Sequence, residues 1–165
     1  MKTLLITRIK PNPAGKDRNP NGSTDASQLA AEWVEFKNTG SAPVNLGGVI
    51  LYHVAYSLGF SQGRWDKIIG FTGILEAGRT VRVHSGSGPQ SVIRMEDLLG
   101  ADHHIFTNNN YVWNNQKGDR PRLLDSNLNQ DVDQASYGPN PPEGQILYRS
   151  GDKLVPSILP RYAPY

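Results

Sequence analysis

The stretch from Glu32 to Gly48 constrains the fold of this chain more than any other segment. Val34 and Phe36 occupy alternate positions, which is the period-two pattern of a strand that buries one face. The residues around them are predicted to point outward: Trp33, Glu35 and Lys37. Gly40 supplies a position at positive φ for a tight turn, and Gly47-Gly48 permits a bulge before the next strand. The segment therefore predicts a strand, a turn and a second strand, and none of its side chains looks like a nucleophile or a metal ligand.

Composition supports a single all-β domain with many turns. The chain has 165 residues, with 17 Gly and 12 Pro spread among aromatic and β-branched residues. It contains no cysteine, so disulfides and thiolate metal sites within it are excluded. Seventeen basic residues against fifteen acidic ones give a net charge of +2, which by itself does not indicate obligate nucleic-acid binding.

The start of the chain is predicted to be a strand rather than a targeting segment. The apolar run Leu4-Leu5-Ile6 is followed by Arg8 and Lys10, which is too short for a signal peptide. No run approaches the roughly 20 apolar residues that span a bilayer. We expect a soluble protein, either cytoplasmic or exported by a signal that this chain lacks.

The rest of the chain reads as short strands separated by turns. Residues 15–28 are polar and are predicted to form a mobile surface loop, and residues 101–110 are predicted to be irregular. One helix is predicted over 92–99, capped by Ser91 and with Val92, Met95 and Leu99 on its apolar side. Further strands are expected at residues 2–10, 48–56, 67–71, 79–84, 111–113, 122–124, 132–137 and 145–148.

Four ordered blocks of this sequence resemble the lamin tail domain family, especially its bacterial members. The blocks span residues 6–18, 32–48, 76–88 and 111–138, and the last contains the string Tyr-Val-Trp-Asn-Asn followed by Gly118-Asp119. The chain departs from the family pattern at Val49, where a tryptophan is usual, and Trp65 or Trp33 is expected to fill that volume. The insertion at 102–110 and the C-terminal tail are further departures.

The resemblance implies an immunoglobulin-like β-sandwich over residues 1–138, with one short helix. A proline-rich extension over 139–165 is expected to dock on the domain or on a neighbour. The resemblance implies no catalysis, because members of the family are interaction modules. The domains of animal lamins contact proteins and chromatin. Acids and bases are present at Asp17, Asp25, His84, His103 and Asp119, yet no recognisable catalytic motif joins them. We therefore expect a protein that is not an enzyme.

Two patterns offer metal ligands. Oxygen-bearing side chains alternate at Asp125, Asn127, Asn129 and Asp131, as in a calcium loop, but the glycine and glutamate that such a loop needs are missing. The alternative is a hairpin turn stabilised by these side chains. His103 and His104 could suggest zinc, but adjacent residues of extended backbone point apart. We expect no bound cofactor, with calcium as the remaining alternative.

Three binding functions remain open from the sequence. The leading hypothesis is a module that binds another protein through loops or an exposed sheet face, and self-association through edge strands or the tail is also possible. The second is an accessory module for carbohydrate, using aromatic and amide side chains of 106–115, or for a divalent cation. The third is nucleic-acid binding through a basic face. Arg82 and His84 are predicted to point outward from one strand, and Arg120 and Arg122 share one side of another, so they form this face if the two strands belong to one sheet. The candidate contact residues are Arg82, His84, Arg120, Arg122, Trp33, His103, His104 and Tyr111.

Overall fold

A computed structural model describes residues 2–57 and 60–157 of the chain. Twelve strands occur in these ranges, together with two short α-helices, α1 (Ala26–Ala30) and α2 (Met95–Leu98), and a 3-10 helix at Gln90–Val92. The strands are β1 (Leu4–Lys10), β2 (Trp33–Asn38), β3 (Val44–Asn45), β4 (Val49–Ser57), β5 (Phe60–Gly70), β6 (Ile74–Leu75), β7 (Thr80–His84), β8 (His103–Phe106), β9 (Arg122–Asp125), β10 (Gln130–Gln134), β11 (Leu147–Ser150) and β12 (Lys153–Pro156).

The strands form two main sheets. The first has six strands in the order β12-β11-β1-β2-β7-β8, and the second has four in the order β10-β9-β4-β5. Neighbouring strands are antiparallel except β7 and β8, which run parallel. A small pair, β3 and β6, completes the sheets of the described residues. The result is an immunoglobulin-like β-sandwich, which confirms the predicted fold class.

The core lies between the two sheets and is built by alternate residues. Val34 pairs with Val83 and Phe36 with Val81 across β2 and β7, and all four side chains are buried, as the alternation predicted. The Phe36 ring packs edge-on against Phe71, with ring centroids 5.1 Å apart. Such packing of large side chains dominates the free energy of folding of a small domain.

The prediction that Trp33 and Glu35 face solvent is wrong. Both are buried, at 0% and 2% exposure, and only Lys37 is partly exposed. The segment that includes α2 lies over this side of β2, where the Trp33 indole donates a hydrogen bond to Asp97 (2.9 Å). The first sheet is therefore covered on both sides here, which alternation along one strand cannot reveal.

The helix observed near residues 92–99 is shorter than the predicted one, and it exposes side chains that were predicted to form its apolar side. The 3-10 turn at Gln90–Val92 and the four-residue α2 replace the single helix over 92–99. Met95 and Leu99 are 66% and 63% exposed, whereas Asp97 is fully buried because it pairs with Lys10. A second helix, α1, occupies the end of the region that was predicted to be a loop.

Three other regions differ from the prediction. Residues 103–106 of the region predicted to be irregular form β8, whereas residues 111–113 form no strand. Val49 is itself buried in the core, while Trp65 is 37% exposed and Trp33 lies outside the core cluster. Neither tryptophan therefore fills the volume that the sequence analysis assigned to them.

Much of the predicted C-terminal extension belongs to the first sheet. β11 pairs with β1, and β11 and β12 form a hairpin whose Leu147 and Leu154 enter the core. The strand expected at 145–148 is seen as β11. Residues 158–165, the end of the predicted tail, lie outside the described residues.

Candidate functional site

Arg82 belongs to a buried charge network on the covered side of the first sheet. Its guanidinium donates to the Glu35 carboxylate (2.7 Å) and lies 4.1 Å from the centre of the Trp33 ring. Arg8 donates to the same carboxylate. Burial alone would raise the pKa of Glu35, but the hydrogen bonds from the two arginines hold that pKa below its ordinary value. The prediction that Arg82 lies on an outer, accessible face is therefore wrong.

His84 is also buried, and it is held by two hydrogen bonds. Its Nδ1 contacts the carbonyl oxygen of Ala30 (2.6 Å), and its Nε2 contacts Nδ1 of His104 (2.8 Å). Burial lowers the pKa of His84 to about 4, so the ring is neutral at pH 7. Because a carbonyl only accepts, we assign the His84 proton to Nδ1, and His104 then donates to Nε2. The exposed position predicted for His84 is wrong, and its role is to connect β7 with α1 and β8.

His103 and His104 do not share one face of β8. They are successive residues of β8, so their side chains leave opposite faces of the strand; His103 is exposed and His104 is half-buried. Within the described residues, no group of three or more His, Asp or Glu side chains is arranged to hold a metal ion.

The predicted basic face is not formed, because its members lie in different sheets. Arg82 is on β7 of the first sheet and Arg122 is on β9 of the second. Arg120 and Arg122 do stay together, and their guanidinium groups lie 5.8 and 4.8 Å from the centre of the Trp65 ring. Arg122 also pairs with Asp131. What remains of the basic face is a small arginine-tryptophan cluster on the second sheet.

The aspartate-rich hairpin uses its oxygens within the protein. Asp125 accepts a hydrogen bond from the Asn127 amide (3.0 Å) and lies 3.6 Å from the Lys2 amine, while Asp131 pairs with Arg122. Asn129 takes the positive-φ position of the turn, at 49°. These contacts match the hairpin-turn interpretation of the sequence.

The structure gives Asp119 a role that sequence reasoning missed. Its carboxylate, 4% exposed as a residue, accepts hydrogen bonds from the Val54 and Arg120 amides, from both nitrogens of Asn114 and from His53 Nδ1. These bonds join the loop before β9 to β4. A local Gly-Asp pair indicates only a turn, so nothing in the sequence pattern pointed to this convergence.

The region 106–115 divides between core and surface. Trp113 is buried at 6% exposure, so it packs the interior and is not a platform for a sugar. Tyr111 lines a hollow of about 270 Å³ together with His53, Asp66 and Asn109, and its hydroxyl donates to the Asp17 carbonyl (3.1 Å). Tyr111 and Asn109 of the predicted carbohydrate surface therefore border this hollow, whereas Trp113 does not.

A large groove lies between the edges of the two sheets. Its volume is about 560 Å³, and it runs between β8 on one side and the end of β5 with β6 on the other. We call it the edge groove. It is lined mainly by apolar side chains: Ile69, Phe71, Ile74, Leu75, Ile105 and Phe106.

These features define an immunoglobulin-like domain with a buried network of charged and polar groups on its first sheet and an apolar groove at its edge. No helix in the described part of the chain is long and apolar enough to cross a bilayer. The family model for the lamin tail domain matches residues 2–139, so the chain belongs to the lamin tail domain family. That family consists of non-catalytic immunoglobulin-like domains that generally act as interaction modules. No curated protein gives a significant match to the chain.

Proposed function

We propose that this domain binds another protein by pairing an extended segment of that partner with the outer edge of β8. The observation that carries the proposal is the position of the edge groove beside an edge strand. An added strand gains main-chain hydrogen bonds from the edge and side-chain specificity from a neighbouring apolar pocket.

The backbone of β8 has the geometry for such pairing. β8 is the last strand of the first sheet among the described residues. The Thr107 amide, just after β8, points toward β7, because it donates to the His84 carbonyl (2.9 Å). Since amides alternate in direction along a parallel strand, those of His104 and Phe106 point to the outer edge. These two residues therefore offer donors and acceptors to an incoming strand.

The side chains along the groove favour an apolar partner segment. Ile74 is 58% exposed, which is a large exposure for an isoleucine beside other apolar groups. A segment that paired with β8 would send every second side chain toward Ile105 and Ile74. The proposed occupant is thus an extended peptide with apolar residues at alternate positions.

The two alternative functions draw less support. The carbohydrate hypothesis is weakened because Trp113 is buried in the core. The calcium hypothesis is weakened because Asp125 and Asp131 pair with Lys2 and Arg122. The nucleic-acid hypothesis is weakened because Arg82 is buried. Of its three arginines, Arg120 and Arg122 beside Trp65 remain as candidate contacts. Protein binding at the edge groove remains the function that the geometry favours.

A capture experiment with matched variants tests the proposal. Immobilised wild type, Ile74→Lys and Leu128→Lys would be incubated with extract of the native host. Leu128 is the control because it is 61% exposed at the hairpin turn between β9 and β10 and does not line the edge groove. We expect a protein retained by wild type and Leu128→Lys and lost from Ile74→Lys. Equal retention by all three, or no retained protein, would refute the proposed site.

A peptide experiment then identifies the binding mode. Overlapping peptides of the retained protein would be titrated into labelled wild type and followed by the amide NMR signals of the domain. The proposal predicts that the bound peptide alternates apolar residues and shifts the His104 and Phe106 amides. A peptide that binds and leaves both amides unshifted contradicts pairing with β8.

A further inference from the structure

We infer that a cationic cleft on the opposite edge of the sandwich binds the phosphate group of a small phosphate monoester. The cleft, about 370 Å³, is bordered by Lys117 and Arg120 of the loop before β9, Ser136 after β10 and Lys153 of β12. β12 and β8 are the two outer strands of the first sheet. The cleft is therefore separate from the edge groove, and phosphate binding in the cleft does not depend on protein binding at the groove.

Three cations border the cleft, and its one carboxylate, that of Asp119, contacts the His53 ring and not the charged group of any of them. Among the described residues, Lys117, Arg120 and Lys153 form no ion pair within 4.0 Å, in contrast to Arg122 and Arg149 nearby. The Lys117 amine lies 4.5 Å from the centre of the Tyr56 ring, and the Lys153 amine donates to the Ser136 hydroxyl (3.2 Å). Three cations around one cleft repel each other, and a bound anion would relieve that repulsion.

The one acidic side chain that borders this cleft is already engaged. Both Asp119 oxygens accept hydrogen bonds from the protein, two at Oδ1 and three at Oδ2. Asp152 is exposed and borders a smaller adjoining hollow of about 210 Å³ together with Arg120 and Lys153. It does not line the cleft itself, so Asp119 is the one carboxylate among the residues that border the cleft.

The walls of the cleft are held in place before any ligand arrives. Asp119 and Tyr137 exchange two backbone hydrogen bonds, of 3.3 and 3.1 Å. Gly118 adopts a φ of 73°, and a Cβ there would lie 2.2 Å from the Tyr137 carbonyl oxygen, so the two segments touch at this glycine. A site fixed in this way loses little conformational entropy on binding.

The donor set suits a phosphate group. A guanidinium presents paired N–H donors to two oxygens of a phosphate, and lysine amines add charge from the sides. The Ser136 hydroxyl adds a neutral donor. The volume exceeds that of the bare ion, so a small organic group esterified to the phosphate fits beside Tyr56.

A titration with three probes tests this inference. Inorganic phosphate, glucose 6-phosphate and glucose would each be added to the labelled domain in low-salt buffer at pH 7. We expect saturable shifts of the Gly118, Arg120, Ser136 and Lys153 amides with both phosphates and none with glucose. If glucose shifts these amides as glucose 6-phosphate does, or if neither phosphate saturates by millimolar concentrations, the inference is wrong.

Matched charge variants separate a built site from general attraction. The double variant Arg120→Gln, Lys153→Gln is expected to bind glucose 6-phosphate roughly tenfold or more weakly. The control Lys16→Gln, Arg18→Gln removes the same charge from exposed positions far along the chain. It is expected to bind as wild type does, and dispersed amide spectra verify that each variant is folded. Equal weakening in both pairs would overturn the inference.

Discussion

Replacing Glu32 by glutamine should change how the stability of this domain depends on pH. Glu32 is 1% exposed, and its carboxylate accepts hydrogen bonds from the Ser85 hydroxyl and from the Val112 amide (2.7 Å). No cation contacts it among the described residues. Burial raises the pKa of Glu32 to about 8 from an ordinary value of 4.5, although the two hydrogen bonds act in the opposite direction.

The sign and size of the effect follow from this raised pKa. Below pH 4.5 the carboxyl is protonated in both the folded and the unfolded chain, so it does not oppose folding. Between pH 4.5 and 8 the unfolded chain loses the proton first, and the free energy of unfolding falls as pH rises. At about 1.4 kcal/mol per pH unit, the full interval amounts to about 5 kcal/mol at most.

Urea unfolding followed by tryptophan fluorescence measures this effect. Wild type and Glu32→Gln would be unfolded at each pH from 5 to 9, and the difference between their free energies of unfolding plotted. Glutamine keeps an acceptor oxygen for Ser85 and Val112 and does not titrate. We expect wild type to lose stability relative to the variant by about 1 kcal/mol or more per pH unit up to pH 8. A difference that stays constant with pH would show that Glu32 has an ordinary pKa and refute the reasoning.

Two further predictions concern stability, and urea midpoints check both. Gly118→Ala should lower the free energy of unfolding by about 2 kcal/mol or more, because the added Cβ would clash with the Tyr137 carbonyl oxygen at a residue of positive φ. Gly22 also has positive φ, but nothing lies within 4 Å of its Cβ position, so Gly22→Ala should lower the free energy of unfolding clearly less. Equal losses in the two variants would contradict the role of this contact. Asp97→Asn should cost about 3–5 kcal/mol because it leaves the buried Lys10 amine without its carboxylate. Arg79→Gln breaks an exposed ion pair with Asp102 and should lower the free energy of unfolding by about 1 kcal/mol or less. Similar losses in Asp97→Asn and Arg79→Gln would contradict burial as the cause of the larger effect.

Some of this architecture was readable from single strands, and some was not. Val34 and Phe36 were placed correctly because their alternation is a property of one strand facing one core. Trp33 and Arg82 were misplaced because the segment that covers them, around Asp97, lies more than ten residues further along the chain. Alternation assigns residues to two faces, but it does not say whether the second face meets water.

The candidate sites were harder to predict than the fold for the same reason. The edge groove exists because the edge of β8 meets β5 and β6 of other sheets, and β8 itself was predicted to be irregular. In the cationic cleft Lys153 lies next to Ser136 because an isolated β-bridge joins the predicted tail to the segment after β10. Each site is made by contacts between distant segments, for which one sequence carries no local pattern.

Hydrogen exchange of the β8 amides in the presence of a captured partner tests protein binding at the edge groove most directly. In the free domain the amides of His104 and Phe106 point outward and should exchange faster than those of His103 and Ile105, which point toward β7. With the partner bound, the account predicts that exchange at His104 and Phe106 slows at least tenfold. Binding of the partner with unchanged exchange at both amides would contradict it.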